Sequence, residues 1–347
     1  MAATTPPGAA SGSRRELLLA AVLIFFNSFS FFLIQYDRMR TQGPGIESWL
    51  RYKFSGVLSE GDQYRIGMPY LTRFLELHTP LKPTQSIPLI EFLAYALALV
   101  LLYLLVRSSP RMQTASPSYR FAVLGFFFAA VQLPVLWIFP WERTETLPTA
   151  FYLAAIVFLV VRRSRIPFAL VCLLAILLTF VQAFFRSDAT VISGVAILIA
   201  AALNVPFPRP RASTAFLGLL CCAVGGSTQL YLQRVAFPVI RDAQTPSTFQ
   251  LLKNLNLTIA PLHTPIFLTA ILPLMVSLYL LRRYRLKLES SDKLVLLICL
   301  IYLAIWINLG LASEVRIFVP YLFLASPTLA KLWTAFLLPD ENATQSA

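Results

Sequence analysis

Charge is what this sequence has least of: Asp, Glu, Lys and Arg together make up 13% of its 347 residues, and acids are scarcer than bases, 16 against 29. With 57% hydrophobic residues and a mean hydropathy of +0.70, so few ionised groups exclude a soluble globular domain. Histidine is nearly absent, at His78 and His263. Both are expected on the same side of the chain's topology, but two histidines without a ligand spacing do not make a metal site. The four cysteines, Cys172, Cys221, Cys222 and Cys299, all fall within apolar runs. There they serve as small hydrophobes, and neither a disulfide framework nor a zinc spacing is present. A glycine-rich phosphate loop, a Ser-His-Asp arrangement and an HExxH motif are also missing. The net charge of +13 is spread singly or in twos and threes beside apolar runs, which excludes a nucleic-acid footprint.

What the chain does have is long hydrophobic runs. Residues 1–13, MAATTPPGAASGS, read as a disordered tail. Arg14 and Arg15 then precede an apolar run from Leu17 to Ile34 that lacks a small-residue cleavage site and is expected to be an uncleaved first span. Nine further stretches approach the roughly 20 residues that a bilayer requires: 87–106, 119–139, 147–161, 166–185, 189–205, 214–232, 262–281, 294–312 and 317–337. The break between 166–185 and 189–205 is only Phe185-Arg186-Ser187-Asp188. The expected fold class is therefore all-α: a polytopic transmembrane helix bundle of about ten spans. One membrane domain covers 14–337, with outer loops at 35–86 and 233–262 and a second tail at 338–347.

Orientation follows the basic residues. With the N-terminus inside, sixteen bases and five acids fall on the cytoplasmic side, and thirteen bases and eleven acids on the other. Both termini are then cytoplasmic, in a bacterial-type inner membrane. On this topology Glu91, Gln132, Gln182, Gln229 and Asn308 lie toward the outer leaflet, a depth at which polar side chains tend to face a bundle interior or a hydrated cavity. The late stretch SEVRIFVP places Glu314 and Arg316 at the same level. Gly218, Cys222 and Gly226, four residues apart, read as a stripe for close helix packing.

The chain is organised around GVLSEGDQYRIGMPYLTRFLELH, residues 56–78, which gathers Glu60, Asp62, Arg65, Arg73, Glu76 and His78 in the first outer loop. From Arg65 onward Ile66, Tyr70, Leu71, Phe74, Leu75 and Leu77 recur at three- and four-residue steps. That spacing predicts a juxtamembrane helix with an apolar face on the bilayer surface. Asp62, just before it, reads either as a helix cap or as a reactive carboxylate. In the second outer loop Arg234, Arg241 and Lys253 suit an anionic headgroup, and interfacial anchoring accounts for them equally well.

This layout resembles the GT-C class of polyprenyl-phosphate-dependent membrane glycosyltransferases. DQYRIGMPYLTRFL and SEVRIFVPYLF are also similar to elements of uncharacterised bacterial membrane proteins of that architecture. These motifs cover about thirty residues. Where the class carries an adjacent acidic pair, this chain has Glu60-Gly61-Asp62. The resemblance implies a lipid-phosphate sugar donor entering from the outer leaflet, with Asp62 as general base and Glu60 as helper or metal ligand. It further implies that Arg65, Arg316 and Arg241 neutralise the leaving phosphate, with Arg73, His78 and Glu314 lining the substrate site. The cofactor is unknown; a divalent metal is compatible with the resemblance, although no spacing indicates one. A transporter or flippase using the same cavity, or a non-catalytic envelope partner, is the competing expectation, although no inverted repeat supports transport.

Overall fold

The computed structural model describes residues 7–41, 43–54, 65–135, 144–162, 166–236, 263–283, 287–309 and 318–338. Among these residues the structure is all-helical. In chain order the helices are α1 (Pro7–Thr41), α2 (Gly43–Phe54), α3 (Gly67–His78), α4 (Pro83–Arg107), α5 (Pro110–Thr114), α6 (Pro117–Val135) and α7 (Thr146–Val161). They continue with α8 (Phe168–Ala202), α9 (Arg211–Tyr231), α10 (His263–Arg283), α11 (Ser290–Leu309) and α12 (Val319–Leu337). A π-helical turn, Leu232–Ala236, follows α9.

Four helical stretches are long and apolar enough to cross a membrane: Arg14–Thr41, Pro83–Arg107, Phe168–Ala202 and Arg211–Ala236. Their outward faces carry large exposed apolar side chains such as Leu18, Phe26, Leu33, Leu177 and Val181. Contiguous apolar surface on this scale suits lipid rather than water.

Proline and polar residues mark where the helices start. Proline stands in the first turn of α4, α5 and α12, where its missing N–H and fixed φ cost nothing. The α1 helix reaches back to Pro7, into the stretch expected to be a disordered tail. Gly8-Ala9-Ala10-Ser11-Gly12-Ser13 contains no proline to stop it. The α2 helix was not anticipated at all.

Phe168–Ala202 is not one straight rod. The hydroxyl of Tyr152 lies 3.4 Å from Thr179 Oγ1 and 3.0 Å from Ser193 Oγ. On a straight helix those two residues would stand about 21 Å apart. The chain must therefore double back between them, and it does so at Arg186, whose φ and ψ of −155° and 96° are extended. The sequence's expected break at 185–188 is thus an elbow, with arms 168–185 and 187–202.

Side-chain contacts fix which ends meet. At one end Arg120 reaches Glu16 at 3.6 Å, Ser109 donates to Glu289 at 2.5 Å, and Ser290 donates to the Pro206 carbonyl at 2.5 Å. This end also gathers Arg107, Arg111, Arg162, Arg209, Arg211 and Lys293, and is termed the basic end. The opposite, loop end holds α2, α3, the start of α7 and the elbow of α8. Between the two lies an apolar core in which α7 and α12 are buried on nearly every side. Tyr95, Tyr152, Phe127, Phe323 and Leu153 fill its middle. At about 24 Å, α7 is shorter than a hydrocarbon core, but its surroundings are protein rather than lipid.

Candidate functional site at the loop end

The elbow of α8 builds a charged interior at the loop end. Breaking the helix at Arg186 turns its side chain inward, where it is 4% exposed. Its Nε donates to Asp188 Oδ1 at 3.1 Å and its Nη2 to the Tyr302 hydroxyl at 2.6 Å. The guanidinium also lies 5.3 Å from the Tyr302 ring centre and 6.0 Å from that of Tyr321, within cation–π range. Those two rings stack at 3.8 Å, and Phe318 and Trp306 continue the aromatic layer. A desolvated arginine is tolerable only when its charge is matched. Here one carboxylate and two aromatic faces match it. Asp188 lies among densely packed protein atoms, but 42% of its side-chain surface is exposed, so the array keeps an accessible carboxylate.

Above the elbow the first loop is tied down. Arg65 Nη1 donates to Glu145 Oε1 at 2.9 Å, linking the chain two residues before α3 to the N-cap of α7. Gly67 sits against the ring of Phe185, where an added Cβ would fall 2.7 Å from Cδ2. A side chain there would lift α3 off the elbow. Met39, Ile46, Leu50, Met68, Ile87 and Phe185 form a small apolar cluster that fastens α1, α2, α3 and α4 together at this end. Of α3, Met68, Pro69 and Thr72 face the protein, while Tyr70, Phe74 and Leu77 are exposed. The expected helix is therefore present from Gly67, and it turns an apolar face outward.

Gln182 Nε2 donates to Thr149 Oγ1 at 2.8 Å within the same layer. Glu91 is fully buried in α4, and neither of its oxygens has a hydrogen-bond partner among the described residues. Phe31 meets Tyr95 at 5.4 Å, and Met39 and Ile87 share a cluster. Antiparallel register then sets Gln35 opposite Glu91, and the Gln35 amide is equally buried and unpartnered among these residues.

Of the polar side chains expected to converge at this depth, Glu91 and Gln182 are buried in the layer. Gln132 is exposed and Asn308 bonds the Ala304 carbonyl of its own helix at 2.6 Å. Among the predicted site residues, Arg65 joins the array. Arg73 pairs instead with Glu76 on α3 at 3.3 Å. His78 Nδ1 lies 2.8 Å from the Phe74 carbonyl, and its ring stacks on Phe74; neither residue points into the array. Glu60, Asp62, Arg241, Glu314 and Arg316 lie outside the described residues. Arg186, Asp188 and Glu145 were not read from sequence as site residues. The signal for the first two was two opposite charges confined to a four-residue gap between apolar runs. Among the described residues no three His, Cys, Asp or Glu side chains group as metal ligands.

No family model, curated protein or solved structure matches this chain.

Proposed function

We propose that this is a ten-span membrane protein that transfers a sugar from a lipid-phosphate donor, with the loop end at the outer face and the basic end in the cytoplasm. The observation that carries the reading is the carboxylate–arginine–tyrosine array lying under the end of the acidic first loop. An accessible Asp188 carboxylate, held from behind by buried Arg186 and the buried rings of Tyr302 and Tyr321, accepts hydrogen bonds from a hydroxyl-rich sugar. The array is less suited to bare phosphate, because Arg65 and Arg186 are already matched by Glu145 and Asp188. Neutralising the leaving phosphate accordingly falls to Arg241 and Arg316. Asp62 precedes Arg65 by three residues, and each residue adds at most about 3.6 Å of reach. With Arg65 anchored, the backbone of Asp62 can be no more than about 11 Å from that of Arg65. The task of Asp62 is to take the proton from the acceptor hydroxyl as that oxygen attacks the sugar, while the lipid phosphate leaves.

The transport alternative requires a route between the two ends. The large apolar side chains packed through the middle of the bundle, Tyr95, Tyr152, Phe127, Phe323 and Leu153 among them, favour transfer at one face.

Membranes from cells expressing the chain, supplied with a panel of polyprenyl-phosphate-linked radiolabelled hexoses, are expected to release or transfer label above the level of empty-vector membranes. Asp62→Asn keeps a capping side chain but removes the base, so it should insert normally and lose activity by about 10²-fold or more. Turnover equal to empty-vector membranes across the panel would remove the transferase reading, and full activity in Asp62→Asn would remove Asp62 as the base.

A further inference from the structure

The basic end carries a cleft that transfer chemistry at the loop end does not use. It encloses about 750 Å³. Ser108, Ser109 and Gln113 line it from the α4–α5 junction, Arg162 from the end of α7, and Ser291 and Lys293 from the start of α11. Two smaller clefts adjoin it. One of about 250 Å³ shares Ser108, Gln113 and Arg162 and adds Arg107. Another of about 190 Å³ shares Pro206 and Phe207 and adds Arg209 and Arg211.

The charge balance of these walls is one-sided. Among the described residues Arg162 and Lys293 line the cleft itself and Arg107, Arg209 and Arg211 its two neighbours, against one acid, Glu289. That acid is already occupied: Lys331 Nζ lies 3.1 Å from one of its oxygens, and Ser109 donates to the other. Ser291 adds a hydroxyl to these walls; those of Ser108 and Ser290 donate to the Leu105 and Pro206 carbonyls, and Asp292 caps the start of α11. Leu105, Val161, Phe207 and Leu288 supply apolar wall beside them. A small anion with several acceptor oxygens satisfies such a donor set, and a phosphate does so best. Basic pockets between helices on a cytoplasmic face are also where anionic lipid headgroups dock.

We propose that this cleft binds a phosphate group, presented either by an anionic phospholipid headgroup of the adjacent leaflet or by a soluble phosphate or pyrophosphate ester. The site lies at the opposite end of the bundle from the array and does not depend on the transferase reading.

The test is the thermal midpoint of the purified full chain in nanodiscs at constant ionic strength. Phosphatidylglycerol is compared with phosphatidylcholine, and inorganic pyrophosphate is titrated into the phosphatidylcholine discs. The site predicts a rise of about 3 °C or more in at least one arm, as ligand well above its Kd stabilises the folded state. A rise with phosphatidylglycerol alone assigns a lipid headgroup, and a rise with pyrophosphate assigns a soluble ligand. The double variant Arg162→Gln/Lys293→Gln, at two exposed positions, should keep the unliganded midpoint and lose the shift. Arg40→Gln/Arg51→Gln, an equal charge change at exposed positions of α1 and α2, should retain it. No shift in either arm, or a shift that persists in the double variant, overturns the proposal.

Discussion

At the residue scale, the buried ions at the basic end are the most consequential electrostatic arrangement for stability. Lys331 on α12 is 7% exposed, and its ammonium lies 2.5 Å from Asp292 Oδ1 and 3.1 Å from Glu289 Oε2. Thr328 donates to Asp292 at 2.8 Å and Ser109 to Glu289 at 2.5 Å, so each carboxylate has a second donor. Removing the cation strands two half-buried or buried anions, which costs about 3–5 kcal/mol for a pair broken from one side. Lys331→Met should therefore lower the thermal midpoint in detergent far more than Lys293→Met, an exposed neighbour. Similar midpoints for the two variants would show that the buried ions contribute little. The pH dependence has a definite sign. Burial pushes the Glu289 carboxyl up, but the Lys331 ammonium, with the hydrogen bonds from Ser109 and Lys331, outweighs it and holds the group below its usual value. A carboxyl held down in the folded state stabilises fully above the unfolded pKa, about 4.3, and the contribution is lost as pH falls through the lower folded value. Acid titration should show a loss of stability below about pH 4.3, and Glu289→Gln should flatten that part of the curve. An unchanged curve would mean that the group does not feel Lys331.

At the scale of elements, the closest packing in the bundle is between the second arm of α8 and α9. A Cβ on Gly194 would fall 2.7 Å from the Gly218 carbonyl oxygen, and one on Gly218 would fall 2.8 Å from the Gly194 carbonyl. Backbone atoms cannot move aside, so Gly194→Ala should cost on the order of 1–3 kcal/mol by forcing the two helices apart. Gly226 has nothing within 4 Å of its added Cβ. There Gly226→Ala should be neutral, or stabilise by up to about 1 kcal/mol through helix propensity. Equal effects of the two substitutions on the midpoint would refute the packing. The sequence made the small-residue stripe visible at Gly218 and Cys222 but extended it to Gly226. The residue that meets the partner helix is Gly225, against Thr190, because 3.6 residues per turn drift away from a strict spacing of four. The elbow at 185–188 was legible because charges cannot continue inside an apolar run. GPGIESWLRYKF, which forms α2, was not: Ile46, Trp49, Leu50 and Phe54 keep helical steps, but the stretch is only 12 residues long and opens with Gly-Pro-Gly, a turn signal. The partner of Arg65 was equally hidden: Glu145 is eighty residues away, and only tertiary packing brings it near.

At the scale of the whole molecule, the question is which end faces the cytoplasm. Helices that run back and forth between two ends place Ser116 at the basic end, three residues before Tyr119, whose ring lies 5.1 Å from the Arg111 guanidinium. Ser48, on α2 beside the Ile46–Leu50 cluster, lies at the loop end. Both are exposed. The ten-span proposal takes each described long helix to join these two ends, and the positive-inside bias would then put Ser116 in the cytoplasm. The alternative is that only the four longest apolar stretches cross and the remaining helices lie in or against the membrane; opposite sides for the two ends would not then be required. Cysteine substitution at each site, labelled in intact cells with a membrane-impermeant maleimide, separates these outcomes. The native chain serves as the control, since Cys221 and Cys299 are buried and Cys172 and Cys222 are partly covered. Ser48→Cys should label in intact cells, and Ser116→Cys only after the cells are broken. Labelling of Ser116→Cys alone would invert the molecule and turn the array toward the cytoplasm, where an outer-leaflet sugar donor cannot reach it. Labelling of both in intact cells would mean that the ends share one side, and the ten-span topology would fail.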